Sequence, residues 1–250
     1  MIDITDHGPV RELRLNRPPA NALSPDLIPA IMRAVDEAPK RGARALVLSG
    51  SPGRFCGGLD VPLLLTLDRR AISGMWRDFY SMMCVLAACP VPLAAAITGH
   101  APAGGTVLTL FADYRIMADG DFKLGLNEVQ AGLTLPPVIF LALRRLLGAH
   151  QAERLAVSGI LISPAEAWRI GLIDEIVPPA GVIDRAVEWA QAMVNLPQGA
   201  MSSTRAQARA DLMKVFEHSF DNELEDVNDM WWEEETQRVL RALAEKLKKK

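Results

Sequence analysis

Cysteine is scarce in this chain of 250 residues: Cys56, Cys84 and Cys89 are the whole set. An odd, sparse set suits a reducing compartment and argues against a disulfide framework. Their spacing matches no zinc motif, and no histidine stands at ligand spacing from them, so no metal is expected. Basic charge is not in surplus. The 27 Lys and Arg residues face 30 Asp and Glu, for a net charge of -3. Nucleic acid and an anionic membrane surface are therefore poor candidates for the main partner. Long apolar runs are missing too. The best candidate, Val85 to Ile97, contains Pro90 and Pro92 and is followed by Gly99, which excludes a spanning helix. The first residues, Met1-Ile2-Asp3-Ile4-Thr5-Asp6, are acidic and lack the apolar core of a signal peptide. A cytoplasmic protein is expected.

Half of the residues are hydrophobic and 23% are charged, the balance of a globular chain with a sizeable core. Val10 to Leu15 alternates as a half-buried strand does. Ser24-Pro25-Asp26 reads as the cap and first turn of a helix that Pro39 closes. Arg44 to Leu48, Val91 to Ile97 and Tyr114 to Ala118 read as buried strands, with a helix over Asp68 to Ala88 and helical character from Gly104 to Ala112. Such alternation implies βαβ units and a largely parallel sheet, an α/β fold. The second half turns helical: Val138 to Leu147 stops at Gly148, Gln151 to Ser158 stops at Gly159, and Ser163-Pro164-Ala165-Glu166 forms a capping box whose helix ends at Gly171. After a short strand at Asp174 to Val177, helices are expected over 182–195 and 202–218. The charged segment from Asn222 to Lys250 reads as one amphipathic helix. Its Trp231-Trp232 pair would be the anchor if that helix covers a site or packs on a neighbouring subunit. Residues 1–195 are expected to form the core, and 196–250 a helical region.

Two glycine-rich loops each follow a buried strand. The first is Arg54-Phe55-Cys56-Gly57-Gly58-Leu59-Asp60. The second is Gly99-His100-Ala101-Pro102-Ala103-Gly104-Gly105, which enters a helix. Glycine lets backbone N–H groups approach a ligand closely, and a helix start adds unpaired donors. Loops at the ends of neighbouring parallel strands can aim two N–H groups at one oxygen, as an oxyanion hole does. Either loop alone also reads as a plain strand-to-helix turn. Neither gives a dinucleotide or P-loop fingerprint.

Taken in order, these loops, Asp113-Tyr114-Arg115-Ile116 with Asp119, Gly125-Leu126-Asn127-Glu128 and the segment Ser163 to Pro178 resemble the crotonase (enoyl-CoA hydratase/isomerase) superfamily. The resemblance implies a ββα spiral with a C-terminal helical region, homotrimers or dimers of trimers, and acyl-CoA substrates, with no cofactor beyond the coenzyme A of the substrate. Carried over by position, the N–H groups of Leu59 and Gly104 form the oxyanion hole and Glu128 moves the proton. Cys56, Gly57, Gly58 and Asp60 line the thioester and acyl pocket, joined by Asn127, and Arg54 is a candidate contact for the phosphates of coenzyme A. The family's usual lysine two residues before the loop phenylalanine is replaced here by Gly53.

Family hydratases carry a second glutamate three residues beyond the second oxyanion glycine, where this chain has Val107. The flanking motifs are similar to those of mitochondrial-type Δ3,Δ2-enoyl-CoA isomerases, which use one glutamate. Hydration needs a water held and activated, whereas moving a double bond needs one base over two carbons. The resemblance therefore favours an isomerase. Another crotonase-type enzyme, hydratase or lyase, is the alternative, and a silent acyl-CoA-binding member the non-enzymatic one. Glu128 also reads plainly as an acid in a first helical turn capped by Asn127. Trp76 and Tyr80, four apart on one helix, read as packing first and pocket lining second.

Overall fold

The computed structural model describes residues 1–217 and 220–248. The expected helix end at His218 and the terminal Lys249-Lys250 lie outside the described residues. In chain order the strands are β1 Ile2–His7, β2 Val10–Leu15, β3 Ala45–Ser49, β4 Gly53–Arg54, β5 Leu93–Ile97, β6 Gly99–Pro102, β7 Tyr114–Ala118, β8 Leu124–Gly125 and β9 Glu175–Val177. The helices are α1 Leu27–Lys40, α2 Val61–Leu64, α3 Arg69–Ala88, α4 Gly104–Leu110, α5 Pro137–Ser158, α6 Pro164–Arg169, α7 Val182–Val194, α8 Gln198–Ala208, α9 Ala210–Val215, α10 Asp221–Trp231 and α11 Glu234–Lys248.

Among the described residues the strands form two sheets, one in the order β1-β2-β3-β5-β7-β9 and a small one in the order β4-β6-β8. All pairings are parallel except the β1–β2 hairpin. The chain repeats one unit three times: a strand in the large sheet, a bend, a short strand in the small sheet, then helix. β3–β4, β5–β6 and β7–β8 are the three turns of this ββα spiral.

Burial on both faces explains the continuous apolar strands. In β3, Leu46 and Leu48 join the main core while Ala45 and Val47 face a second cluster; in β5, Leu93, Ala95 and Ile97 alternate with Ala94 and Ala96 in the same way. The second cluster is closed by Val182, Ala186, Ala190 and Val194 of α7.

Local signals hold at several helix ends. The Ser24 hydroxyl accepts from the Leu27 N–H at 3.1 Å, the bond expected of a cap, although α1 starts at Leu27 and Asp26 holds its N-cap position. The Ser163 hydroxyl accepts from the Glu166 N–H, but the Glu166 carboxylate pairs with Arg169 instead of returning to the cap. Gly148 breaks α5 with φ 73°. Three expectations are corrected. Pro39 lies inside the last turn of α1 and does not close it. The segment from 202 onward is two helices, α8 and α9, parted at Arg209, whose guanidinium donates to the Ala87 and Phe111 carbonyls and to Asp113. The C-terminal segment is also two helices, broken between Trp231 and Glu234. β1 had no counterpart in the sequence reading.

Candidate active site

The small sheet assembles the site. Its strands are two to four residues long and parallel, so their C-terminal ends point the same way, where α/β folds bind ligands. Residues 55–60 leave β4, residues 103–105 leave β6 and residues 126–128 leave β8. The spiral thereby brings both glycine-rich loops and Glu128 to one edge. A direct bond ties two of them: the Ala103 N–H donates to the Gly125 carbonyl at 2.8 Å.

The loops touch through glycine. A Cβ on Gly105 would lie 2.3 Å from the Cys56 carbonyl oxygen, and one on Gly104 would lie 3.4 Å from the Gly58 Cα. No side chain fits at Gly105 without parting the loops. Gly58 has φ 83°, open to glycine at low cost. Ala103 adopts φ 47°, a conformation that L residues disfavour, at the turn that leads into the buried start of α4.

Strand geometry orients Leu59. Leu23 donates to the Gly58 carbonyl at 2.7 Å and accepts from the Asp60 N–H at 2.9 Å. In that parallel bridge, the N–H of the intervening residue points to the opposite side of the strand. Gly104 is the first residue of α4, whose opening N–H groups have no partner within the helix. Neither the Leu59 nor the Gly104 N–H has an acceptor among the described residues. Two free donors thus sit on loops in van der Waals contact.

Glu128 opens a short 3₁₀ turn, Glu128–Ala131. Glu128 stands in the first turn after Asn127, as the plain reading has it, but the Asn127 side chain makes no cap there. Its Oδ1 and the Glu128 Oε2 are both buried without a hydrogen-bond partner. Burial pushes the Glu128 carboxyl up to about 7, against a small opposing effect of its own backbone N–H. A carboxyl with one buried, unpartnered oxygen and a raised pKa suits proton transfer.

The other candidates are placed as follows. Cys56, within the first loop, is fully buried; burial pushes its thiol up to about 12, and the Gly58 backbone is its hydrogen-bond partner. Its side chain packs in the core, and its carbonyl meets Gly105 of the second loop. Gly57 donates to the Ala20 carbonyl. Asp60 caps α2 through Leu63 and pairs with Arg17 at 2.8 Å, so its carboxylate serves the loop's own structure. Arg54 is exposed and paired in register with His100, whose Nδ1 accepts from the Lys123 N–H. Val107 is fully buried in α4.

Sequence reasoning passed over Asn21. Buried at φ 51°, it accepts from the Arg17 N–H and donates to the Phe55 and Arg54 carbonyls at 3.1 and 3.2 Å, clamping the first loop. The available signal was an asparagine just after Pro18-Pro19, since asparagine tolerates the left-handed region.

Comparison with known proteins follows this geometry. The family model for enoyl-CoA hydratase/isomerase matches residues 6–250. The chain belongs to the enoyl-CoA hydratase/isomerase family. Within that family it is 37% identical over 206 residues to a probable enoyl-CoA hydratase, echA17, of Mycobacterium avium, covering 82% of this chain and 78% of the relative. It is 30% identical over 203 residues to human mitochondrial enoyl-CoA delta isomerase 1, covering 80% and 67%. The crystal structure of human mitochondrial delta3-delta2-enoyl-CoA isomerase superposes with a TM-score of 0.94 at 27% identity, covering 99% of this chain and 98% of that one. Enoyl-CoA hydratase EchA3 of Mycobacterium ulcerans matches with a TM-score of 0.80 at 28% identity, over 91% and 96%. The ββα spiral and C-terminal helices are those of the crotonase fold. No described helix is long and apolar enough to cross a membrane.

Proposed function

We propose that this family member is a Δ3,Δ2-enoyl-CoA isomerase. The observation that carries the reading is a single carboxyl: Glu128 has one buried oxygen without a hydrogen-bond partner, while the position where family hydratases carry their second acid holds the buried Val107. In the proposed reaction the Glu128 carboxylate removes a proton from C2 of a 3-enoyl thioester. Negative charge moves to the thioester oxygen, which the Leu59 and Gly104 N–H groups receive. The same carboxyl returns the proton at C4, so the double bond comes to rest between C2 and C3. The step consumes no water and needs no cofactor beyond coenzyme A itself. Exposed Arg54, with His100 and Lys123 beside it, offers positive charge to the CoA phosphates. An apolar patch at Val129, Val157 and Ile160 suits association into a homotrimer or a dimer of trimers.

The relatives named hydratases at up to 37% identity favour hydration as the second reading. Supplying the protein with a 3-enoyl-CoA and, separately, with a 2-enoyl-CoA and water distinguishes the two. The isomerase reading expects efficient shift of the first and weak hydration of the second, since a lost acid–base group costs roughly 10²–10⁴ in rate. Glu128→Gln should abolish deuterium exchange at C2 while acyl-CoA still binds. Undiminished exchange would remove Glu128 from the mechanism, and exchange absent already in the wild type would indicate a silent binding member.

A further inference from the structure

Glu128 owes its place to the turn that carries it. Its Oε2 has no partner, and among the described residues the only hydrogen bond that bears on the carboxylate comes from its own backbone N–H. No neighbouring side chain pins the carboxyl. The turn closes on itself through two backbone bonds, from the Leu133 N–H to the Glu128 carbonyl at 3.0 Å and from the Gly132 N–H to the Val129 carbonyl at 3.2 Å. Whatever holds this turn in the molecule therefore holds the base.

Two helices grip it from outside the spiral's glycine loops. The end of α5 bears on its start: a Cβ on Gly159 would lie 2.6 Å from the Val129 Cγ2, and the Gln130 Nε2 donates to the Ser158 carbonyl at 3.3 Å. The beginning of α11 meets its end. Gly132 has φ 76°, and a Cβ there would lie 3.2 Å from the Thr236 Cα. The Thr236 hydroxyl donates to the Gly132 carbonyl at 2.8 Å.

The hydroxyl is the informative part of this junction. Thr236, Leu240 and Ala244 are the buried residues of α11, spaced four apart along one face of the helix. Packing alone asks for an apolar side chain at each, and valine has the shape of threonine. Thr236 is instead polar and only 2% exposed, a burial that is unfavourable unless the hydroxyl is bonded. Its bond goes to the turn of the base. We infer that Thr236 is a positioning residue for Glu128, and that α11 thereby sets where the carboxyl stands relative to the two oxyanion donors. The inference rests on the reading of Glu128 as the base. The oxyanion loops are held separately, by Asn21, Leu23 and the Ala103–Gly125 bond, so loosening the turn leaves them in place.

Steady-state turnover of a 3-enoyl-CoA by the full chain, with deuterium exchange at C2 and each variant assayed well below its melting temperature, tests this. A displacement of about 1 Å at a catalytic group can cost roughly 10²-fold. Thr236→Val keeps the shape and removes the bond; kcat and exchange should fall about ten- to a hundredfold, with KM within about twofold of wild type. Thr236→Ser keeps the hydroxyl and should recover most of the loss. Gly132→Ala breaks the same contact from the other side and should reproduce the Thr236→Val signature, and it carries the test if Thr236→Val does not fold. The double variant should fall no further than the worse single one, because both changes remove one interaction. Near wild-type kcat in Thr236→Val and Gly132→Ala would overturn the inference. So would a fall that serine does not recover, since threonine would then act through packing alone. Loss of exchange in Glu128→Gln with none in the Thr236 and Gly132 variants removes this inference and leaves the base in place. Undiminished exchange in Glu128→Gln removes both.

Discussion

Burying a carboxyl without a partner costs free energy, and a chain tolerates it where the group has work to do. Glu128, the proposed base, has one oxygen covered and unbonded and a pKa raised to about 7. As a base it acts only when ionised. The value of kcat/KM should therefore rise with pH and level off above about 7, with one ionisation on the acid limb. An acid limb near the ordinary value of 4.5 would mean that another group sets the profile. Gly105 offers a second test at this scale. Gly105→Ala puts a methyl 2.3 Å from the Cys56 carbonyl, so the loops must separate. If the two N–H groups act together on one oxygen, activity should fall by about 10²–10³, the loss of one oxyanion donor, with kcat carrying most of the fall. Activity close to wild type would show that the loop contact is not needed.

At the scale of elements, the C-terminal helices behave as part of the chain's own core. Trp231 is fully buried edge-to-face on Trp76, and Trp232 lies under the Arg69 guanidinium. The Thr236 hydroxyl donates to the Gly132 carbonyl at 2.8 Å and so ties α11 to the end of the Glu128 turn. Trp231→Ala should destabilise the protein by about 3–5 kcal/mol, as large-to-small changes in a packed core do. Denaturant melting checks this; a loss below about 1 kcal/mol would mean that α10 is only loosely attached. The tryptophan pair was visible in the sequence as an anchor, but its target was not, because Trp76 lies far away along the chain. Other elements divide in the same way. The buried strands, the Gly148 and Gly159 stops and the two glycine loops were legible because each carries its own local signal. β4 and β8 were not, since two residues have no period to read. The break between α10 and α11 was hidden too, with neither glycine nor proline to mark it. For Glu128 the sequence left a helix-turn acid and a base as alternatives; the missing Asn127 cap and the buried, unbonded oxygen favour the second and have no signature in the sequence.

The whole molecule carries the cost of its poised acid, and pH exposes it. The folded chain holds the Glu128 proton up to about 7, whereas an unfolded chain releases it near 4.5. Below 4.5 both states bind the proton and the site costs nothing in ionisation. As pH rises from 4.5 through 7 the unfolded state loses its proton first, so stability that is fully present in acid drains away, and above 7 the loss is complete. At about 1.36 kcal/mol per pH unit, the loss is on the order of 3 kcal/mol. Glutamine has no proton to lose. Glu128→Gln should therefore melt close to wild type near pH 4.5 and above it at pH 8, by several degrees at roughly 2–4 °C per kcal/mol for a chain of this size. Thermal melts of both proteins across that range measure the gap directly. A gap that opens between pH 5 and 7 identifies Glu128 as a strained, functional acid, one whose removal stabilises the fold while ending proton transfer. A constant gap would mean that the carboxyl is satisfied in solution, and that stability and catalysis at this residue are not in conflict.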